Sequence, residues 1–250
     1  MPVAAARGPR MTPEPLRTVA LIPAGGMGMR MGGTVRKQFR ALGGLPLLVH
    51  SLRVFQSSPV IDAVVLAVPE ADLHYCRAEI VERHGFTKIT HVVAGGRERQ
   101  DSVRHALAVV EEAVDLIVIH DAVRPFVTDS MVQRVVEAAA KDGAAIIALP
   151  LRDTVKQVSD DHLIERTVDR KPLWLAQTPQ AFRRDWLDEA HRNAQAEGIV
   201  ATDDAFLLEW MGHPVRVVEG SGENIKVTRP EDLVIAEAIL GARQLGSGVK

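Results

Sequence analysis

Thr18-Val19-Ala20-Leu21-Ile22-Pro23-Ala24-Gly25-Gly26-Met27-Gly28-Met29-Arg30-Met31-Gly32 joins two unlike kinds of sequence. Thr18–Pro23 is an apolar run of strand length, and the glycines that stop it predict a loop. Glycine lets a backbone approach a polyphosphate closely, and the N–H groups of such a loop can point at phosphate oxygens. Arg30 and, just downstream, Lys37 add two cations beside the loop. Transfer of a phosphorus-containing group is catalysed mainly by positioning and by stabilising charge on phosphate oxygens, a task that suits such a pair. Two neighbouring motifs are excluded. Met31 stands where a dinucleotide-binding fingerprint needs its third glycine, and the Gly-Lys-Ser/Thr of a Walker loop is absent.

Outward from that strand, β-like runs alternate with amphipathic stretches. Pro46–Phe55 reads as a helix with Leu48, Leu52 and Phe55 on one face and Pro46 in its first turn. Ala63–Val68 is a strand, Pro69 to Arg83 a helix ended by Gly85, and Ile89–Val93 a strand before Gly95-Gly96. Val103, Leu107, Val110 and Val114 mark one stripe of the next helix. Asp115–His120 reads as a strand covered on both faces, Thr128–Lys141 as a helix and Ala144–Leu149 as a strand. This rhythm predicts an α/β fold, a mostly parallel sheet with helices on both faces and right-handed crossovers. Ligands of such sheets lie over the carboxyl ends of the strands, where residues 25–33, Gly95-Gly96 and His120-Asp121 all fall.

After Leu151 the rhythm changes. Thr154–Val158 and Leu163–Val168 flank Ser159-Asp160-Asp161 and predict a hairpin. A hairpin projecting from an α/β body, at about residues 151–175, is either a dimerisation arm or a flap packed on its own subunit. Helices follow near Asp185–Glu197 and Asp203–Met211, then a strand at Val215–Val218 and a closing helix from Pro230. The expected organisation is a disordered leader over 1–16, a single domain over 17–242 and a tail over 243–250.

Composition narrows the function. With 46% apolar and 25% charged residues the chain is an ordinary globular protein, and a formal charge of −2 excludes a general electrostatic grip on nucleic acid or anionic membrane. Cys76 is the only cysteine, so neither an intrachain disulfide nor a cysteine zinc site can form. No apolar run approaches the roughly 18 residues of a membrane span. The nine histidines show no metal-ligand spacing, and no Gly-x-Ser-x-Gly elbow presents a nucleophile, which favours direct transfer without a covalent enzyme intermediate. Trp174, Trp186 and Trp210 read as packing residues.

The glycine-rich run with Lys37-Gln38-Phe39 resembles the signature of the 2-C-methyl-D-erythritol 4-phosphate cytidylyltransferase family. The likeness continues in order through Gly95-Gly96-x-x-Arg99-Gln100-x-Ser102-Val103, His120-Asp121-Ala122-Val123-Arg124-Pro125, Asp153-Thr154-Val155-Lys156 and Thr167-Val168-Asp169-Arg170 with Leu173–Phe182. Thr202-Asp203-Asp204-Ala205 and Asn224-Ile225-Lys226-Val227-Thr228-x-Pro230-Glu231-Asp232 complete it. The chain departs from the pattern at Gly25, Met29, Arg36 and Val123, none of which removes a charged group.

The resemblance implies a Rossmann-like nucleotidyltransferase fold and transfer of CMP from CTP to a sugar-alcohol phosphate, 2-C-methyl-D-erythritol 4-phosphate, in the non-mevalonate route to isoprenoid precursors. It assigns catalysis to Arg30, Lys37, Arg170 and Lys226. Pro23, Ala24, Gly25, Gly26, Gly28, Gly95, Ser102, Asp121 and Ala122 would hold the nucleotide, Ser102 with the backbone of Ala24 and Gly25 reading the cytosine edge. Arg124, Thr154, Arg170, Thr178 and Lys226 would hold the acceptor's phosphate, with Arg124, Thr154 and Arg170 able to act across a homodimer that exchanges its arms. Asp121, a carboxylate after a buried strand, is the candidate ligand for Mg²⁺ or another divalent cation, because hard cations take carboxylate oxygens. The resemblance also implies a cytoplasmic enzyme with neither nucleic-acid nor membrane partners.

Three other readings compete. Ala24-Gly25-Gly26 is also similar to the ribitol-5-phosphate cytidylyltransferases, and the Thr167–Arg170 and Leu173-Trp174 blocks tilt the choice toward methylerythritol phosphate. A non-catalytic nucleotide sensor would not need Arg30, Lys37, Arg170 and Lys226 together. A dinucleotide-dependent oxidoreductase lacks its third glycine.

Overall fold

The computed structural model describes residues 16–25 and 35–247. The leader expected over 1–16 therefore lies outside the described residues except for Leu16. In chain order β1 (Thr18–Pro23) leads to a short 3₁₀ turn at Lys37–Phe39, the small hairpin β2 (Ala41–Leu42) and β3 (Leu45–Pro46), and α1 (Leu47–Ser57). Strand β4 (Ala63–Val68), helix α2 (Leu73–Tyr75), β5 (Ile89–Ala94), α3 (Arg99–Leu107) and β6 (Leu116–Ile119) follow. Next come α4 (Asp129–Asp142), β7 (Ala144–Pro150), the hairpin β8 (Val155–Val158) and β9 (Ile164–Val168), and β10 (Trp174–Arg183). Helices α5 (Arg184–Glu197) and α6 (Asp204–Trp210), strand β11 (Arg216–Glu219) and α7 (Pro230–Ser247) complete the chain.

Seven strands make one sheet in the order β11-β7-β10-β6-β1-β4-β5. All pairings are parallel except those of β10, which runs against both β6 and β7. The alternation of strand side chains sends Ala20 and Ile22 to one face, with α1 and α4, and Val19 and Leu21 to the other, with α3, α5 and α6. Both faces are thus covered, which is why β1, β4 and β6 read as continuous apolar runs. From β1 the chain moves outward to β4 and β5, then returns to place β6 on the other side of β1. That reversal opens a crevice over the carboxyl ends of β1 and β6, the usual ligand position in such sheets.

Local chemistry accounts for the element ends. Thr128 caps α4 by accepting from the Met131 N–H at 3.3 Å, and Asp203 caps α6 through the Phe206 N–H at 3.1 Å. The hairpin β8–β9 forms its own two-stranded sheet, antiparallel from Val155↔Val168 to Val158↔Ile164. Leu163 and Ile164 on it are 69% and 65% exposed, so the hairpin does not pack on its own subunit there.

Three expectations need correction, and one strand was missed. The helix expected over Pro69 to Arg83 is broken into a 3₁₀ turn at Glu70–Asp72, the short α2, and a π-helical stretch at Cys76–Glu82. The wide π turn still points Cys76 and Ile80 into the core. Helix α3 stops at Leu107, and Val110 and Val114 reach the core from the following turns. Strand β10 gave no periodic signal because Gln177-Thr178-Pro179-Gln180 interrupts it, and its pairing with β7 shifts register between Ala176 and Gln180. The tail expected over 243–250 is helical as far as Ser247. Arg243 ties that last stretch down, pairing with Glu223 at 2.9 Å and lying 5.0 Å from the centre of the Phe126 ring.

Gly143, between α4 and β7, has φ 92°, and a Cβ there would lie 2.3 Å from the Trp186 ring. Gly143→Ala should therefore lower the unfolding free energy by about 2 kcal/mol or more, as measured by urea denaturation.

Candidate active site

The crevice holds two adjoining cavities. The first, ≈ 170 Å³, is walled by Pro23, Ala24 and Gly25 after β1, Lys37 and Gln38, the turn from Gly96 to Ser102, Asp121 to Val123 after β6, and Lys226. The second, ≈ 190 Å³, is walled by Arg124, by Gln177, Thr178 and Gln180 of β10, and by Thr202 and Asp203 before α6. Arg99, Asp121 and Lys226 line both, so they form the common wall.

At the first cavity the glycines answer to packing. A Cβ on Gly25 would sit 2.8 Å from Ser102 Oγ, and one on Gly95 2.9 Å from the same atom. The two loops therefore close against a buried serine whose Oγ accepts from the Gly96 N–H at 3.1 Å and donates to the Glu98 carbonyl at 3.2 Å. Gln38, 1% exposed, donates to the Ala24 carbonyl at 2.7 Å and so holds the residue that follows β1. Ala24 and Gly25 line the first cavity.

The common wall is built around one carboxylate. Asp121 Oδ1 accepts from Arg99 Nε at 3.0 Å, and Oδ2 lies 2.8 Å from Lys226 Nζ and 3.7 Å from Arg124 Nε. Burial alone would push this carboxyl up, but Arg99, then Lys226 and Arg124, hold it well below the usual carboxylate range. The backbone under it is equally constrained. The Asp121 N–H donates to Thr178 Oγ1 at 3.0 Å, and Thr178 Oγ1 lies 3.0 Å from His120 Nδ1. His120 Nε2 lies 3.1 Å from the Arg124 carbonyl, which can only accept, so the proton sits on Nε2 and Nδ1 accepts from Thr178. Burial of this imidazole pulls it down to about 4, which keeps it neutral. Asn224 stitches the loop carrying Lys226 to the same place. Its side chain donates to the Thr178 carbonyl at 2.9 Å, and its backbone carbonyl accepts from Arg124 Nη1 at 2.8 Å.

Of the residues expected at the site, Pro23, Ala24, Gly25, Lys37, Ser102, Asp121, Ala122, Arg124, Thr178 and Lys226 line these cavities, and Gly95 packs behind Gly25. Gly26, Gly28 and Arg30 lie outside the described residues. Thr154 and Arg170 are exposed on the hairpin arm, where Arg170 Nη1 donates to the Arg152 carbonyl, and neither lines either cavity of its own subunit. Arg124, expected to be able to act across subunits, lies 3.7 Å from Asp121 Oδ2 and donates to the Asn224 carbonyl at 2.8 Å within its own chain. Gln38, Arg99, His120, Asp204 and Asn224 were given no role from sequence. Each stands in a motif quoted above, but spacing alone cannot reveal that their partners lie as far as 105 residues away, as for Arg99 and Asp204.

Among the described residues no group of three His, Cys, Asp or Glu side chains could hold a metal ion. The donor set at Asp121 is one carboxylate beside a cavity rimmed by cations. It fits Mg²⁺ only in the manner in which that ion is commonly held beside a polyphosphate, by one or two carboxylates with phosphate oxygens and water completing the shell.

A Rossmann-like sheet with Ala24-Gly25 bordering a cavity after β1, and with lysine and arginine side chains converging on that cavity at its carboxyl edge, defines an enzyme of the nucleotidyltransferase class. Residues 18–242 match the 2-C-methyl-D-erythritol 4-phosphate cytidylyltransferase family. The protein of that name from Syntrophus aciditrophicus (strain SB) is 50% identical over 224 residues, 90% of this chain and 96% of that one. The protein of the same name from Geobacter metallireducens is 48% identical over 224 residues, 88% of this chain and 96% of its own. The crystal structure of 2-C-methyl-D-erythritol 4-phosphate cytidylyltransferase from Thermus thermophilus superposes with a TM-score of 0.74 at 36% identity, covering 90% of this chain and 98% of that one. That of 4-diphosphocytidyl-2C-methyl-D-erythritol synthase from Anaerococcus prevotii reaches 0.81 at 29% identity, covering 90% and 96%. The chain belongs to the 2-C-methyl-D-erythritol 4-phosphate cytidylyltransferase family.

His120 makes one consequence measurable. Between its ordinary value of 6.5 and about 4 the unfolded chain binds a proton there that the folded chain does not. Its contribution to stability is therefore complete above pH 6.5 and is lost as the pH falls toward 4. Urea denaturation across that range should show stability falling with acid, and His120→Asn, which does not titrate, should show a flatter profile.

Proposed function

We propose that the chain transfers CMP from CTP to 2-C-methyl-D-erythritol 4-phosphate, giving 4-diphosphocytidyl-2-C-methyl-D-erythritol and pyrophosphate. The observation that carries this reading is the common wall, where Lys226, Arg99 and Asp121 border both a cavity beside the glycine turn and a second beside Arg124 and Thr178. CTP occupies the first cavity, its base against Gly25, Gly95 and Ser102 and its phosphates toward Lys37. The acceptor's phosphate occupies the second, held by Arg124, Thr178 and Lys226. A phosphate oxygen of the acceptor then attacks the α-phosphorus in line, a new P–O bond forms, and the bond to the leaving pyrophosphate breaks. Lys37 and Arg30 stabilise the charge that gathers on the phosphate oxygens, and Lys226 and Arg170 orient the attacking group. Asp121 would hold a Mg²⁺ ion, which when bound would neutralise triphosphate charge.

The arm supplies the second subunit's share. Exposed Leu163 and Ile164 on a hairpin with no core of its own favour docking on a partner, which would carry Thr154 and Arg170 into the other site of a homodimer. Among the described residues no helix is long and apolar enough to cross a membrane, in keeping with a proposed cytoplasmic enzyme.

A pyrophosphate-release assay with CTP, UTP and ATP against methylerythritol phosphate and ribitol 5-phosphate tests the function, with turnover expected for CTP and the first acceptor alone. CTP binding without turnover on either acceptor would favour a sensor. Lys37→Ala should lower kcat by roughly 100-fold or more, as loss of one charge-stabilising donor does. Mixing two inactive variants, Arg170→Ala and Lys226→Ala, should restore turnover, because one site of each mixed dimer then holds both wild-type residues. No recovery on mixing would place Arg170 in its own subunit's site.

A further inference from the structure

Arg99 occupies the common wall but has no part in the reaction as described. Its Nε donates to Asp121 Oδ1 at 3.0 Å, and its Nη1 lies 2.6 Å from Asp204 Oδ2. Asp204 is 1% exposed, and its other oxygen, Oδ1, lies 3.2 Å from Nε2 of His191, which is 2% exposed. A second tie holds the two ends of this bridge in register. Gln100, next to Arg99, donates to the Ile199 carbonyl at 3.2 Å and accepts from the Ala201 N–H at 2.9 Å, just before Asp204. The guanidinium is therefore fixed from behind.

We propose that Arg99 is a positioning residue, pinned by Asp204 with His191 behind it, that occupies one oxygen of Asp121 and reserves the other for an exchangeable partner. A guanidinium free to choose closes on a carboxylate with both prongs and takes both oxygens. Here Nη1 is held by Asp204, Nε meets only Oδ1 and Nη2 makes no hydrogen bond, so Asp121 Oδ2 is met instead by Lys226, a flexible and 39% exposed side chain at 2.8 Å, with Arg124 Nε at 3.7 Å. Lys226 can leave that oxygen for an incoming phosphate, while the bond from Nη1 to Asp204 keeps Arg99 on Oδ1. The vacated oxygen is then available to a divalent cation, so the inference rests on the reading of Asp121 as the metal ligand.

The test compares the wild-type protein with Asp204→Asn, and with His191→Leu in case the asparagine chain does not fold. Mn²⁺ is titrated in the presence of CTP and free Mn²⁺ is followed by its paramagnetic resonance signal. Pyrophosphate release is measured against Mg²⁺ concentration in parallel. The clamp predicts Mn²⁺ affinity weakened by roughly 10-fold and the Mg²⁺ requirement raised by a similar factor, as for loss of a partner behind a metal ligand. The KM for CTP at saturating Mg²⁺ should stay near the wild-type value. A variant that melts at lower temperature but binds Mn²⁺ as the wild type does, including no binding by either, overturns the clamp. Wild-type protein that releases no pyrophosphate with any acceptor defeats the proposed function, while the Mn²⁺ titration still decides the clamp.

Discussion

Asp121 is a carboxylate that the fold could not bury without its neighbours. It lies at the end of the central strand β6, 7% exposed, and is ionised there because Arg99, Lys226 and Arg124 surround it. Removing one partner of such a buried pair typically costs about 3–5 kcal/mol, since the charge left behind has no water to turn to. These three cations arrive from different parts of the chain. Arg99 opens α3, Arg124 follows Asp121 by three residues, and Lys226 precedes α7. The carboxylate thus gathers the loops after β5, β6 and β11 into one wall.

The same need explains the polar interior of β10. An antiparallel strand between β6 and β7 could have been wholly apolar, yet Gln177, Thr178 and Gln180 are buried within it. Thr178 receives the Asp121 N–H and faces His120, while Gln180 Nε2 donates to Asp203 at 2.8 Å beside the second cavity. The register shift between Ala176 and Gln180 lets the strand carry these groups without losing its pairing on either side. A break in the regular sheet is therefore what furnishes the second cavity with hydrogen-bonding side chains.

Much of this was legible in the residues. Thr18–Pro23, Ala63–Val68 and Leu116–Ile119 lie in parallel strands buried on both faces, and such strands read as apolar runs without alternation. The helix from Asp129 to Asp142, expected over Thr128–Lys141, was visible for the same kind of local reason. What escaped was governed by distant partners. Strand β10 hid because its middle residues serve the site rather than the pattern, and α7 outran its expected end because Arg243 is held by Glu223 and Phe126.

The chemistry divides in the same way. Sequence alone determined the alternating α/β order and the set of charged residues in the family's motifs, since each is a property of neighbouring residues. Only the tertiary structure decided that Arg124 meets the Asn224 carbonyl, that Gln38 clamps the Ala24 carbonyl, and that Asp204 holds Arg99 against Asp121. The physical reason is range. Strand and turn preferences act over a few residues, whereas a charge pair acts only where the sheet has already brought its members within a few ångströms.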